Sequence, residues 1–148
     1  MTRVEQDSNP NAPTSRQGIP LAPDRRHYAE RLTARSVRHT NENTVIMPWV
    51  DVMADVQVIR DGLAMRDGNT FVVHGRTYVL EPGRRLFPRE GDGFYRLSRG
   101  AYRALALYND RELRMDPEQM LDLESVPTAD REIARRLKIE IEEWRRGQ

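Results

Sequence analysis

The chain has 148 residues and no cysteine, and its 24 basic side chains nearly balance 23 acidic ones. Disulfide frameworks, cysteine-ligated zinc and thiol nucleophiles are excluded, and at this length one core burying roughly 70% of the unfolded surface needs no staple. No run nears the ~18 apolar residues of a membrane span and the N-terminus has no signal-peptide stretch, which points to a cytoplasmic protein with no membrane partner.

Residues 1–23 carry Pro10, Pro13, Pro20 and Pro23 among Asn, Ser, Thr and Gln, with no apolar periodicity. Burial cannot offset the entropy of ordering such a segment, so it reads as a flexible leader ahead of one domain over 24–148. Asp24 is a candidate N-cap for a helix over 25–39, in which Tyr28, Leu32 and Val37 form a thin apolar stripe. Asn41 or Asn43 is placed to end that helix in a left-handed conformation.

Two periods compete between residues 45 and 63. Val50, Val52, Ala54, Val56 and Val58 alternate as in a strand, whereas Trp49, Val52, Met53, Val56, Ile59 and Leu63 recur at helical spacing. Pro48 near a first turn and Asp61-Gly62 at an end are helix punctuation, and the alternation would gather Asp51, Met53, Asp55 and Gln57 on one face. A helix over 48–61 follows.

From residue 63 to 97 turn signals recur at Asp67-Gly68-Asn69, His74-Gly75, Glu81-Pro82-Gly83 and Glu90-Gly91-Asp92-Gly93, separating apolar runs too short for helices. This predicts an antiparallel meander of four to five strands. A two-residue His74-Gly75 turn sets Phe71 opposite Tyr78 and Val73 opposite Arg76. Phe71, Val73, Tyr78 and Leu80 then share the core face, with Arg76 at its rim.

Three helices complete the chain. Ser98 caps one over 99–110, with Ala101, Tyr102, Leu105, Ala106 and Tyr108 as its apolar face; Asp116 and Pro117 start a second over 117–124, with Gln119 as the reach-back residue. Thr128 caps the last, over 128–146, with Ile133, Leu137, Ile141 and Trp144 on one stripe and Glu132/Arg136 and Glu142/Arg146 as solvent-side pairs. The fold class is α+β: a meander flanked by N-terminal helices and a C-terminal helical layer, behind a disordered N-terminal tail.

Charge is unevenly distributed. Residues 76–103 hold seven arginines against three acids, giving +4, residues 25–39 five arginines against one glutamate, again +4, and residues 112–148 seven bases against ten acids, giving −3. Within the first of these, Arg84, Arg85, Arg89, Arg96, Arg99 and Arg103 interleave with Phe87, Tyr95 and Tyr102, a composition suited to gripping phosphates while stacking bases. The same arginines would serve as a solvated rim over core aromatics. The leading expectation is a binding module for an anionic partner, nucleic acid or acidic protein segment.

A rival reading takes His74 as acid or base, Arg76 as phosphate clamp and Tyr78 or Tyr95 as assistant in a small metal-independent ribonuclease-like toxin domain. His74 also suits a turn, where His tolerates positive φ. The Thr70–Tyr108 stretch resembles short bacterial proteins, some of them associated with toxin systems or mobile elements, a likeness that assigns no residue a role. A third reading is a subunit of a protein complex or homo-oligomer, associating through the acidic C-terminal helix, Trp144 and the stripe near Tyr28. Asp51 and Asp55 lie one helical turn apart with no matching His or Glu, so no metal is expected; without a glycine-rich phosphate loop, no cofactor is either.

Overall fold

The computed structural model describes residues 18–36 and 43–148. Its α+β architecture comprises four α-helices and two antiparallel sheets, of four strands and of two. The described residues group into two compact units, 18–24 with 50–92 and 25–36 with 43–49 and 93–148.

The first unit contains α1 (Val52–Arg60) and a four-stranded meander. Asp51 caps α1, its carboxylate accepting from Ala54 N at 3.1 Å, and the helix ends before Gly62 at φ 74°. The helical period therefore prevails over the strand period, and Val52, Asp55, Val56 and Ile59 form the buried stripe. Each fully buried apolar side chain here contributes roughly 1.5–3 kcal/mol. Pro48 lies before the cap rather than in the first turn.

The meander comprises β2 (Met65–Asp67), β3 (Thr70–Val73), β4 (Arg76–Leu80) and β5 (Leu86–Gly91), in that spatial order, after β1 (Asn43–Ile46) of the other unit. Phe71 pairs with Tyr78 and Val73 with Arg76, the register the His74-Gly75 turn requires. Both turn residues have positive φ, 52° and 78°, as a type I′ turn demands. Phe71, Val73, Tyr78 and Leu80 are buried together. A bulge at Thr77/Tyr78 leaves Arg89 as an extra residue between Pro88 and Glu90, and Pro88 lies on β5, the last strand in the order of the sheet, where proline is tolerated.

The leader expected over 1–23 lies outside the described residues as far as residue 17. Residues 18–23 are part of the first unit, not a free tail. Leu21 bridges to Arg85 in parallel, with Leu21 N donating to Arg84 O at 2.7 Å and Leu86 N to Leu21 O at 2.9 Å. Arg60 Nε donates to Pro20 O and Arg85 to Ala22 O, each at 2.9 Å.

The second unit contains β1, β6 (Phe94–Leu97), α2 (Arg99–Asn109), α3 (Pro117–Leu123) and α4 (Thr128–Arg146). The fifth run of the expected meander, Phe94–Leu97, leaves that sheet and pairs with β1, where Asn43 faces Leu97 and Ile46 faces Phe94. Asn43 thus opens a buried strand instead of ending a helix; Asn41 lies outside the described residues.

The helix expected over 25–39 is not formed. Arg25–His27 and Ala29–Arg31 make two short 3₁₀ turns, and Val37 lies outside the described residues. Side chains of α2 take the carbonyls a helix would use internally: Tyr102 Oη donates to Arg26 O at 2.6 Å, and Asn109 Nδ2 donates to Glu30 O and Leu32 O at 2.8 and 2.9 Å. His27 Nδ1 donates to Thr44 O at 2.8 Å, fixing the segment beside β1.

The core of this unit joins Ala29, Leu32, Val45 and Met47 to α2, α3 and α4. Ser98 caps α2 as expected, but Pro127, without a side-chain hydrogen bond, stands at the N-cap of α4, and Thr128 begins the helix. Ala134, Leu137 and Ile141 are the buried stripe of α4, while Ile133 is exposed. Glu142 pairs with Lys138 at 3.0 Å and Arg145 at 2.6 Å, in place of Arg146. No helix among the described residues is long and apolar enough to cross a membrane.

Candidate functional site

In the first unit the buried stripe of α1 places a carboxylate against the core face of the hairpin. Asp55 is three residues after Val52 and four before Ile59, and its side chain is fully buried. A lone carboxylate there would be prohibitively costly. The β3–β4 hairpin supplies its donors: His74 Nδ1 at 2.7 Å and Arg76 Nη2 at 3.1 Å to Oδ1, and Arg76 Nε at 2.6 Å and the Tyr78 hydroxyl to Oδ2.

The arrangement follows from the strand period. Arg76 and Tyr78 are two apart on β4 and share its inner face, while the turn at His74 carries the imidazole to the end of the same face. Burial pushes the Asp55 carboxyl up, but hydrogen bonds from Arg76, Tyr78 and His74, with the Arg76 charge, outweigh it and hold the group below its ordinary value. The hydrogen bond to Asp55 raises the Arg76 guanidinium further. Burial, reinforced by the Asp55 carboxylate, raises the Tyr78 phenol well above its ordinary range.

Chemically, Arg76 and Tyr78 are anchors. Nε and Nη2 of Arg76 are spent on Asp55, and Nη1 approaches Asp92 O at 3.4 Å, so this arginine faces inward with only 13% of its side chain exposed. Tyr78 is wholly buried. His74 differs, with 54% of its side chain exposed. Because an ionised Asp55 only accepts, the neutral imidazole must carry its proton on Nδ1, which leaves the Nε2 lone pair as its basic atom. The carboxylate of Asp92 lies 3.2 Å from where a Cβ on Gly75 would stand, and a Cβ on Gly91 would meet the Gly75 carbonyl and the Arg76 backbone.

Tyr95, the remaining member of the proposed catalytic group, is on β6 in the second unit. The six arginines expected to bind anions are likewise divided. Arg84, Arg85 and Arg89 belong to the first unit, all exposed; Arg85 donates to Ala22 O, and Arg89 Nε lies 3.7 Å from Glu90 Oε1. Arg96, Arg99 and Arg103 belong to the second. Arg103 is committed: Nε and Nη2 bind the two oxygens of Glu124 at 2.8 Å each, and Nη1 donates to Ala34 O.

Arg96 and Arg99 are exposed and have no side-chain partner among the described residues. Tyr95 beside them is 38% exposed. Arg99 also borders a shallow pocket of about 230 Å³ with Gly100, Arg103, Glu124, Ser125 and Asp130. Its other charges are satisfied internally, since Glu124 holds Arg103 and the Ser98 hydroxyl donates to Asp130 at 3.0 Å. Among the described residues no group of three or more His, Asp or Glu side chains could hold a metal ion.

Sequence reasoning missed Asp55 as the centre of the first site. The signal was present: an acid at i+3 and i−4 within an apolar stripe must meet donors, and the predicted core face of the hairpin offered Arg76 and Tyr78. Comparison with protein-family models, with curated proteins and with solved structures finds no match to this chain.

Proposed function

We propose that the protein is a binding module for single-stranded nucleic acid, engaged where β6 runs into α2. The observation that supports this reading is the pair Arg96 and Arg99, exposed without a carboxylate partner on the stretch that also carries the exposed ring of Tyr95; that ring distinguishes the pair from Arg111, Arg114, Arg136 and Arg146, which are exposed without an ion pair as well. Alternation turns Tyr95 and Arg96 to opposite faces of the two-stranded ribbon. A nucleic-acid strand lying along β6 and into α2 would reach both: phosphates meet the guanidinium groups and a base stacks on the phenol.

Fluorescence anisotropy with labelled single-stranded RNA, single-stranded DNA and an acidic peptide, across a salt series, tests this. Nucleic-acid affinity should fall with salt, and replacing Arg96 and Arg99 by Ala should lower the log–log slope by about 1.4, at roughly 0.7 for each phosphate no longer neutralised. Tyr95→Ala should weaken binding by ~1 kcal/mol or more. Salt-independent binding, an unchanged slope, or preference for the acidic peptide contradicts the reading.

A further inference from the structure

The Asp55–His74 pair stands on a separate observation, in the first unit, and carries chemistry that a binding surface does not use. Three features define it. The imidazole is oriented by a carboxylate that is itself fixed by Arg76 and Tyr78, so its tautomer is set and Nε2 is the basic atom. More than half of the His74 side chain is exposed, although its partner is fully buried. The side chain is presented from a turn at φ 52°, a conformation that Asn or Gly adopts more readily.

Among the described residues no nucleophilic side chain is hydrogen-bonded to this base. The chain lacks cysteine, and the hydroxyl beside it, Tyr78, is buried and held protonated by its surroundings. The substrate it suits therefore brings its nucleophile with it, already placed next to the reacting centre, where intramolecular attack supplies the effective molarity that an enclosed pocket otherwise would. Of the biological polymers with an anionic backbone, RNA fits this description through its 2′-hydroxyl, and DNA does not.

We propose that Asp55 and His74 form a general-base dyad that cleaves RNA at the 2′-hydroxyl, with His74 as the catalytic residue and Asp55 as its positioning residue. Nε2 takes the 2′-hydroxyl proton as the 2′-oxygen attacks phosphorus. The P–O2′ bond forms and the P–O5′ bond breaks, giving a 2′,3′-cyclic phosphate. The departing 5′-oxygen takes its proton from the imidazolium through solvent water, so proton and electron counts close with no co-reactant. The charged groups around the imidazole are Asp55, which it bonds directly, Arg76, which shares the same Asp55 oxygen, and Asp92, whose carboxylate lies 3.2 Å from where a Cβ on the neighbouring Gly75 would stand. Arg76 is spent on Asp55 and does not clamp the phosphate.

The test uses the full chain with a fluorescent oligodeoxynucleotide containing a single ribonucleotide, and its all-DNA counterpart, in EDTA. Cleavage at the ribonucleotide with a 2′,3′-cyclic phosphate end, no cleavage of the DNA, and a rate that falls on acidification are expected. His74→Asn, which keeps a residue tolerant of positive φ, should lower the rate by roughly 10²–10⁴-fold while RNA affinity by anisotropy stays unchanged. That separates this proposal from the arginine surface, whose loss removes binding instead. Asp55→Asn should displace the pH–rate profile, a change that loss of folding alone does not produce; long-range ¹⁵N NMR of the folded wild type should show the Nδ1–H tautomer. No cleavage by the wild type, undiminished cleavage by His74→Asn, equal cleavage of DNA, or an Nε2–H tautomer overturns the dyad.

Discussion

At the scale of single residues, Asp55 carries the largest consequence. Its two oxygens receive four hydrogen bonds from three side chains of one hairpin, and its charge has no route to water. Removing that charge leaves Arg76 buried without its counter-ion, so Asp55→Asn should destabilise the protein by about 3 kcal/mol or more in urea unfolding. The pH dependence has a definite sign. The folded carboxyl lies below its unfolded value, so this contribution is present above roughly pH 4 and is lost as pH falls through the folded value. The urea midpoint of the wild type should therefore drop in acid more steeply than that of Asp55→Asn; parallel profiles would contradict the assignment. Here the sequence was legible in halves. The helix, the hairpin register and the inward face of Arg76 and Tyr78 all follow from local patterns, but joining α1 to that face is a tertiary fact that neither period states.

At the scale of elements, local signals succeeded where one element's own backbone bonds decide the outcome. The hairpin is fixed by its two-residue turn, α2 and α3 by their caps, and α4 by its apolar stripe. They failed over the described part of 25–39, where the Asp24 cap and a thin stripe suggested a helix. The competing partners come from about 75 residues further on: Asn109 and Tyr102 hold the carbonyls of Arg26, Glu30 and Leu32. β1 was missed although Thr44, Val45 and Ile46 are β-branched, because the strand is short and its partner Phe94–Leu97 lies far along the chain. Asn109→Ala would strand two carbonyls and release Lys138, which donates to Asn109 Oδ1 at 3.2 Å. A loss of roughly 2 kcal/mol is expected, at ~1–3 kcal/mol per buried group left unsatisfied, with faster amide exchange in residues 25–36. An unchanged urea midpoint would mean that these carbonyls find water instead.

At the scale of the whole molecule, charge arithmetic separates a local surface from general polyanion attraction. The chain carries a formal +1 at pH 7, too little to draw nucleic acid by bulk field alone, so any strong binding must come from local geometry. The six arginines that read as one basic zone in sequence belong to two units. Several are used internally, as Arg103 is by Glu124. Composition reports how many guanidinium groups exist; only the fold reports which of them lack a carboxylate. Charge reversal tests the distinction. Arg96→Glu with Arg99→Glu changes the formal charge by −4, from +1 to −3, and so does Arg111→Glu with Arg114→Glu, at two other exposed positions of the second unit. If the surface at β6 and α2 is the binding site, the first pair abolishes anisotropy binding of single-stranded RNA at 0.1 M salt, where screening limits direct interaction to about 10 Å. The second pair then weakens it by only a few-fold. Equal losses from both pairs would show that net charge, and not Arg96 and Arg99, governs the interaction.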